Sequence, residues 1–109
     1  MNADVDDDRR RFGRIPIFTP VNVCTAERRD RAGMIRDVSA SGVLFHSRSK
    51  FAIGERVSLM FYVRREGEAV KGTTAGHVVR SFVDDNRDAM FQHVTAVRFD
   101  APLLDLELA

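Results

Sequence analysis

Two short stretches of this 109-residue sequence carry residue types whose spacing suits an anionic, base-bearing ligand. The first is Arg9-Arg10-Arg11-Phe12-Gly13-Arg14, where Arg10 and Arg14 form an RxxxR pair with Arg9 just before it. Guanidinium groups donate in a planar fork that matches phosphate and the O6/N7 edge of guanine, and they stack on base faces. The second is Asp37-Val38-Ser39-Ala40-Ser41-Gly42, a DxSxxG pattern. A carboxylate accepts from guanine N1–H and N2–H, a hydroxyl two residues on can reach phosphate or a base edge, and glycine permits positive φ or close backbone approach. Each stretch alone has a plainer explanation. The arginines follow Asp4, Asp6, Asp7 and Asp8 and suit a solvated tail, while Asp37 and Ser39 suit an Asx or ST turn.

No other constellation offers chemistry. The histidines, His46, His77 and His93, form neither HxH nor HExxH, and His46 and His93 fall within apolar strands, so no metal ligand set is expected. Cys24 lies between Val23 and Thr25 with no adjacent cation to activate it, and Asp84 and Asp85 sit where a turn is expected. No catalytic residue and no cofactor are assigned. One cysteine excludes an internal disulfide and a multi-cysteine zinc site, and a reducing, cytoplasmic setting fits. A net charge of +1 gives no global basic field for DNA or a membrane surface. The charge is instead concentrated: four of the 17 Lys and Arg residues stand between positions 9 and 14. No apolar run approaches the roughly 20 residues of a membrane span, and no secretory signal is expected at the N-terminus.

The remainder must position the two stretches. At this length a chain buries about two-thirds of its surface, enough for one core without staples. Residues 1–14 read as a flexible arginine-rich arm and residues 15–109 as a single domain. Ile15, Ile17, Val21 and Val23 share one parity, with Pro16 and Pro20 marking an edge or bulge. Residues 27–33 read as a turn, residues 34–38 as a short strand, and residues 37–42 as a polar connection into Val43, Leu44 and Phe45. After a loop over residues 48–55, Val57, Leu59, Phe61 and Val63 alternate with Ser58, Met60 and Tyr62. A turn around Gly67 leads into residues 70–83, one strand or two, with bulges expected at Gly72 and Gly76. A second turn at residues 84–88 precedes a strand carrying Phe91, Val94, Val97 and Phe99. Asp100 and Pro102 open a short C-terminal helix with Leu104 and Leu108 on one face. Such spacing indicates an all-β barrel or sandwich.

RxxxR just before the first strand, DxSxxG about two dozen residues later and an all-β remainder together resemble the PilZ domain family of bacterial cyclic di-GMP receptors. The resemblance spans essentially the whole chain, including Gly76-His-Val-Val-Arg80 and Val97-Arg-Phe99. It implies a six-stranded Greek-key barrel that holds the ligand outside. Arg10 and Arg14 would engage guanine edges and phosphates, and Asp37, Ser39 and Gly42 would surround a guanine. Arg9 resembles the variety that accommodates an intercalated cyclic di-GMP dimer. The implied role is a small adaptor whose arm orders over the ligand and alters a surface seen by an effector protein. Motility, biofilm formation and other surface attachment, exopolysaccharide production or virulence are the implied settings. Two other readings stand beside it. One is a PilZ interaction module that binds no nucleotide, as in type IV pilus assembly, whose members typically lack both motifs. The other is a barrel for single-stranded nucleic acid, which should expose aromatics along a basic groove, whereas Trp is absent and Tyr62 is the only tyrosine.

Overall fold

The structure, a computed structural model, describes residues 15–85 and 91–103. Six strands account for most of them: β1 (Ile15–Cys24), β2 (Arg31–Val38), β3 (Gly42–Ser47), β4 (Arg56–Arg65), β5 (Glu68–Val83) and β6 (His93–Phe99). They close into an antiparallel barrel in the order β1-β2-β3-β6-β5-β4. The Greek-key step is the pairing of β3 with β6 rather than with β4, and the seam closes where Asn22, Val23 and Cys24 of β1 meet Met60, Leu59 and Ser58 of β4. The expected all-β, six-stranded barrel is the architecture observed.

Alternation builds the core. Val57, Leu59, Phe61 and Val63 point inward from β4 and meet Val21 and Val23, Ile35 and Val38, Val43 and Phe45, Val78, Val97 and Phe99. Each such side chain taken from water contributes on the order of 1.5–3 kcal/mol against the entropy of ordering the chain. The link from β3 to β4 crosses one end of the barrel and drops Phe51 into it as a plug. The Phe51 ring meets Phe45 edge-on at 5.9 Å, and the Arg28 guanidinium lies over the Phe51 ring at 4.6 Å. Backbone bonds from Gly54 N–H to Val78 O and from Val78 N–H to Glu55 O tie this link to β5.

Several boundaries differ from the sequence reading. The first reversal is shorter than residues 27–33, because β2 begins at Arg31. The Thr25 hydroxyl accepts from the amides of Glu27 and Arg28, and Asp30 at φ 55° completes the turn. Arg31 and Ala32 then pair with Val23 and Asn22 at the rim, where exposed side chains suit a strand as well as a loop. β5 is one strand, and its bulge lies between Val78 and Arg80 rather than at Gly72 or Gly76. Gly72 and Gly76 stay in register with Phe61 and Val57 of β4. Gly76 is required by close approach: a Cβ there would sit 2.2 Å from the Arg98 carbonyl oxygen. The β4–β5 turn falls at Glu66-Gly67, both at positive φ, as a two-residue hairpin turn demands. The second turn is closed by the Asp84 N–H to the Gln92 carbonyl, and its residues 86–90 lie outside the described residues. Leu104 and Leu108 of the expected helix also lie outside them. Leu103 packs against the core and donates its N–H to Ala40 O.

Candidate ligand-binding site

The DxSxxG residues form a corner between β2 and β3, and less of it is loop than the sequence suggests. Asp37 and Val38 belong to β2 and Gly42 to β3, so only residues 39–41 connect them. Asp37 is drawn into the sheet by pairing with Pro16 on one side and Leu44 on the other, next to a register slip between Ile35 and Asp37. The connection is closed by the Ser39 N–H to Gly42 O. The Ser39 hydroxyl lies 3.2 Å from that of Ser41 and accepts from the Ser41 N–H. The end of β6 then locks the corner from outside, with Phe99 N–H donating to Ser41 O and Leu103 N–H to Ala40 O.

This geometry gives Ser39 and Gly42 structural roles and places Asp37 out of bulk water. Asp37 and Ser39 are buried, at 5% and 3% exposure, so the corner's polar groups face a drier environment than a surface turn provides. The close approach that Gly42 permits is to the barrel's own backbone: a Cβ would stand 2.4 Å from the Val97 carbonyl oxygen. The Ser39 hydroxyl serves the turn.

The strand register shows what surrounds the corner. Residues paired across neighbouring strands share a face. Asp37 pairs with Leu44, Leu44 with Ala96, and Ala96 with Arg80, and this row runs over the outer face because its neighbours Val43, Phe45 and Val97 point inward. One row along, Gly42 pairs with Arg98, and Arg98 with His77. The outer face beside the corner is thus a shelf floored by half-buried Leu44 and Ala96. Asp37 stands at one side, and the exposed Arg80 and Arg98 stand at the other. Neither arginine was singled out as a site residue from sequence; strand register alone brings them opposite Asp37.

Arg9, Arg10 and Arg14 lie outside the described residues. Their attachment point does not. Ile15 pairs with Val38 and Pro16 with Asp37, so the residue that follows Arg14 is fixed across from the corner. Arg14 is one peptide link, about 3.8 Å between Cα atoms, from that anchor, and Arg10 lies within roughly 18 Å of it.

The remaining chemistry is elsewhere and sparse. Cys24, half-buried, lines an open groove of about 270 Å³ with Thr25, Ala26, Arg56, Val57, Ser58 and Ala75. Its Sγ is 3.8 Å from Asn22 Oδ1 and 3.5 Å from the Asp30 amide, with no histidine beside it in that groove. Arg56 at the rim makes a bidentate pair with Asp100 at 2.9 and 2.5 Å. The hydrogen bonds from Arg56, more than its charge, hold the Asp100 carboxyl below its ordinary value. Among the described residues no group of three His, Cys, Asp or Glu side chains could hold a metal ion, and no helix is long and apolar enough to cross a membrane.

Comparison with known proteins agrees with the geometry. The family model described as PilZ domain matches residues 8–107, a span that includes both motifs. Among solved structures, the Bacillus subtilis inhibitor of motility (MotI/DgrA) superposes with a TM-score of 0.68 at 18% identity. The match covers 87% of this chain and 44% of that one, so this chain spans less than half the length of that protein, and the likeness is one of fold. No curated protein matches this sequence significantly.

Proposed function

Because this chain belongs to the PilZ domain family, a family of cyclic di-GMP receptors and protein-interaction modules, we propose that it is a receptor for cyclic di-GMP that works as an adaptor. One observation carries the reading. The β1–β2 register sets Pro16 opposite Asp37, and so ties the RxxxR arginines to the DxSxxG corner by two to six residues of chain.

The ligand lies on the outer shelf. Arg10 and Arg14 reach its phosphates and guanine edges from the arm side, while Asp37 accepts from a guanine N1–H and N2–H. Burial strengthens that contact, since a carboxylate shielded from water has fewer competing donors. Arg9 adds the guanidinium that a second, intercalated cyclic di-GMP would need. Each arginine–phosphate contact at about 4 Å near the surface is worth roughly 4 kcal/mol before desolvation. Ordering the residues that carry these arginines costs roughly 1–2 kcal/mol each. Affinity is therefore a difference of comparable terms, and falls with salt. Binding replaces mutual repulsion among the arginines by attraction, and the surface so created is read by an effector protein in motility, biofilm formation, exopolysaccharide production or virulence.

Isothermal titration of cyclic di-GMP into the full chain, with Arg10→Ala as control, tests this. Binding in the micromolar range or tighter that the variant loses supports the receptor, and a stoichiometry near two supports the role of Arg9. No heat and no ligand-induced rise in melting temperature would instead favour an interaction module that takes no nucleotide.

A further inference from the structure

Of the six large apolar side chains left exposed among the described residues, Val79, Phe82 and Val83 follow one another along one strand end, with Ile53 at its start. Val79, Phe82 and Val83 lie on the last stretch of β5, and Ile53 precedes Gly54, whose N–H bonds Val78 O. This stretch is also an open edge. β4 covers β5 only as far as the Arg56–His77 pair, and the preceding loop takes the amide and carbonyl of Val78. Beyond Val78, β6 pairs with Arg80 to Val83 on one side, and among the described residues no strand pairs on the other. A strand edge flanked by apolar side chains is a template for a further strand.

The order of residues on that edge specifies its occupant. By strand alternation the outward positions of β5 are Arg80 and Phe82, and the bond from Asp84 N–H to Gln92 O carries the alternation one residue past the strand to Asp84: cation, aromatic, anion. Reversed and laid beside itself, the run is complementary. We propose that this edge pairs antiparallel with the same edge of a second copy of the chain, about a twofold axis at Phe82. Arg80 then faces Asp84 of the second copy at both ends, Phe82 faces its counterpart, and Ser81 faces Val83 on the opposite side of the extended sheet. A twofold at Arg80 or at Asp84 would set like charges opposite, and one at Ser81 or Val83 would forgo the Arg80–Asp84 pairs, so charge favours the register at Phe82. The Arg80 guanidinium already lies over the Phe82 ring at 5.2 Å, so cation and aromatic share one face of the edge. Five residues a side with Ile53 at the margin make a small contact, so the dimer is transient and concentration-dependent rather than obligate.

Sedimentation velocity on the full chain, from about 10 µM to 1 mM, reads the outcome as mass. The wild type moves towards a dimer across that range. Arg80→Asp and Asp84→Arg each hold the monomer, because each sets like charges opposite, and the double variant R80D/D84R regains the dimer. Phe82→Glu holds the monomer as well, with thermal melts confirming that every variant folds. A wild type that stays monomeric throughout overturns the proposal. So does a dimer indifferent to R80D, D84R and F82E, or a folded double variant that fails to recover.

Discussion

The β2–β3 corner and the outer end of β5 break the ordinary burial rule in opposite directions. At the corner, Asp37 and Ser39 are polar and buried, and the barrel's own backbone uses the carbonyls of Ala40, Ser41 and Gly42. At the end of β5, Phe82 and Val83 are apolar and more than two-fifths exposed, and one side of the strand has no neighbouring strand among the described residues. Buried polar groups and exposed apolar clusters are the informative departures, since scattered exposed hydrophobics are normal. The corner is polar, buried and held by backbone bonds, which is what the proposed small ligand, read by hydrogen bonds, requires. The β5 end is an edge that no described strand pairs, and it is there that we propose a second copy docks.

The largest expected effect falls where strand backbones approach most closely, at the corner and midway along β5. Gly42→Ala drives a Cβ to 2.4 Å from the Val97 carbonyl, and Gly76→Ala drives one to 2.2 Å from the Arg98 carbonyl. Backbone oxygens cannot rotate away, so each variant should lose about 3 kcal/mol and melt well over 10 °C lower. Val83→Thr on the open edge should stay within about 0.5 kcal/mol of wild type. Thermal melts of the three variants at dilute concentration measure the contrast directly. Equal losses would mean that the β5 end is as tightly built as the corner.

Much of this barrel was legible in sequence, because period-two alternation is strong wherever one face of a strand is buried. Val57, Leu59, Phe61 and Val63 are all inward, as their spacing predicts. The motif residues Asp37, Ser39 and Gly42 likewise come together at one corner. The less legible features depend on pairing partners. The bulge at Val78/Arg80 follows from β6 on one side and the Gly54–Glu55 link on the other, which composition does not encode. Gly76 reads as a bulge glycine from its own segment, and only the closeness of Arg98 shows why a side chain is excluded. Arg80 and Arg98 stand 43 and 61 positions from Asp37 in the chain, and only barrel closure sets them across one shelf.

Next in size are the effects on ligand binding, which sharpen the corner's role. Arg10→Ala or Arg14→Ala should weaken cyclic di-GMP binding by about 2–5 kcal/mol, as for truncating one member of a charged hydrogen-bonded pair, with the melting temperature of the free protein unchanged. Asp37→Ala should also weaken binding while leaving the barrel folded. Arg98→Ala removes an exposed cation at the far side of the shelf, so its expected loss is smaller, about 0.5–1 kcal/mol. Titrations at two salt concentrations separate these cases, since a lost phosphate contact also flattens the salt dependence. An Arg98 variant that binds as wild type at low salt would confine the site to the corner and the arm.

The smallest effect concerns the Arg56–Asp100 clasp, which joins the start of β4 to the residue just after β6. The side-chain hydrogen bonds from Arg56 lower the Asp100 carboxyl below its usual 3.8, partial desolvation opposes this, and the charges of Arg56 and His77 assist to a lesser degree. A carboxyl lowered in the folded state contributes stability above its unfolded value and loses it as pH falls through the folded one. The gap in melting temperature between wild type and Asp100→Asn should therefore be constant from neutral pH to about pH 5, and vanish below the usual carboxyl range. Arg56 is raised by the same contacts, and its contribution would fade only in strong alkali. Both side chains are largely in water, at 65% and 43% exposure, so salt screens the pair and the gap is small throughout. A gap that persists undiminished in acid would assign the loss to the backbone at Asp100, whose N–H bonds Ala75 O, rather than to the ion pair.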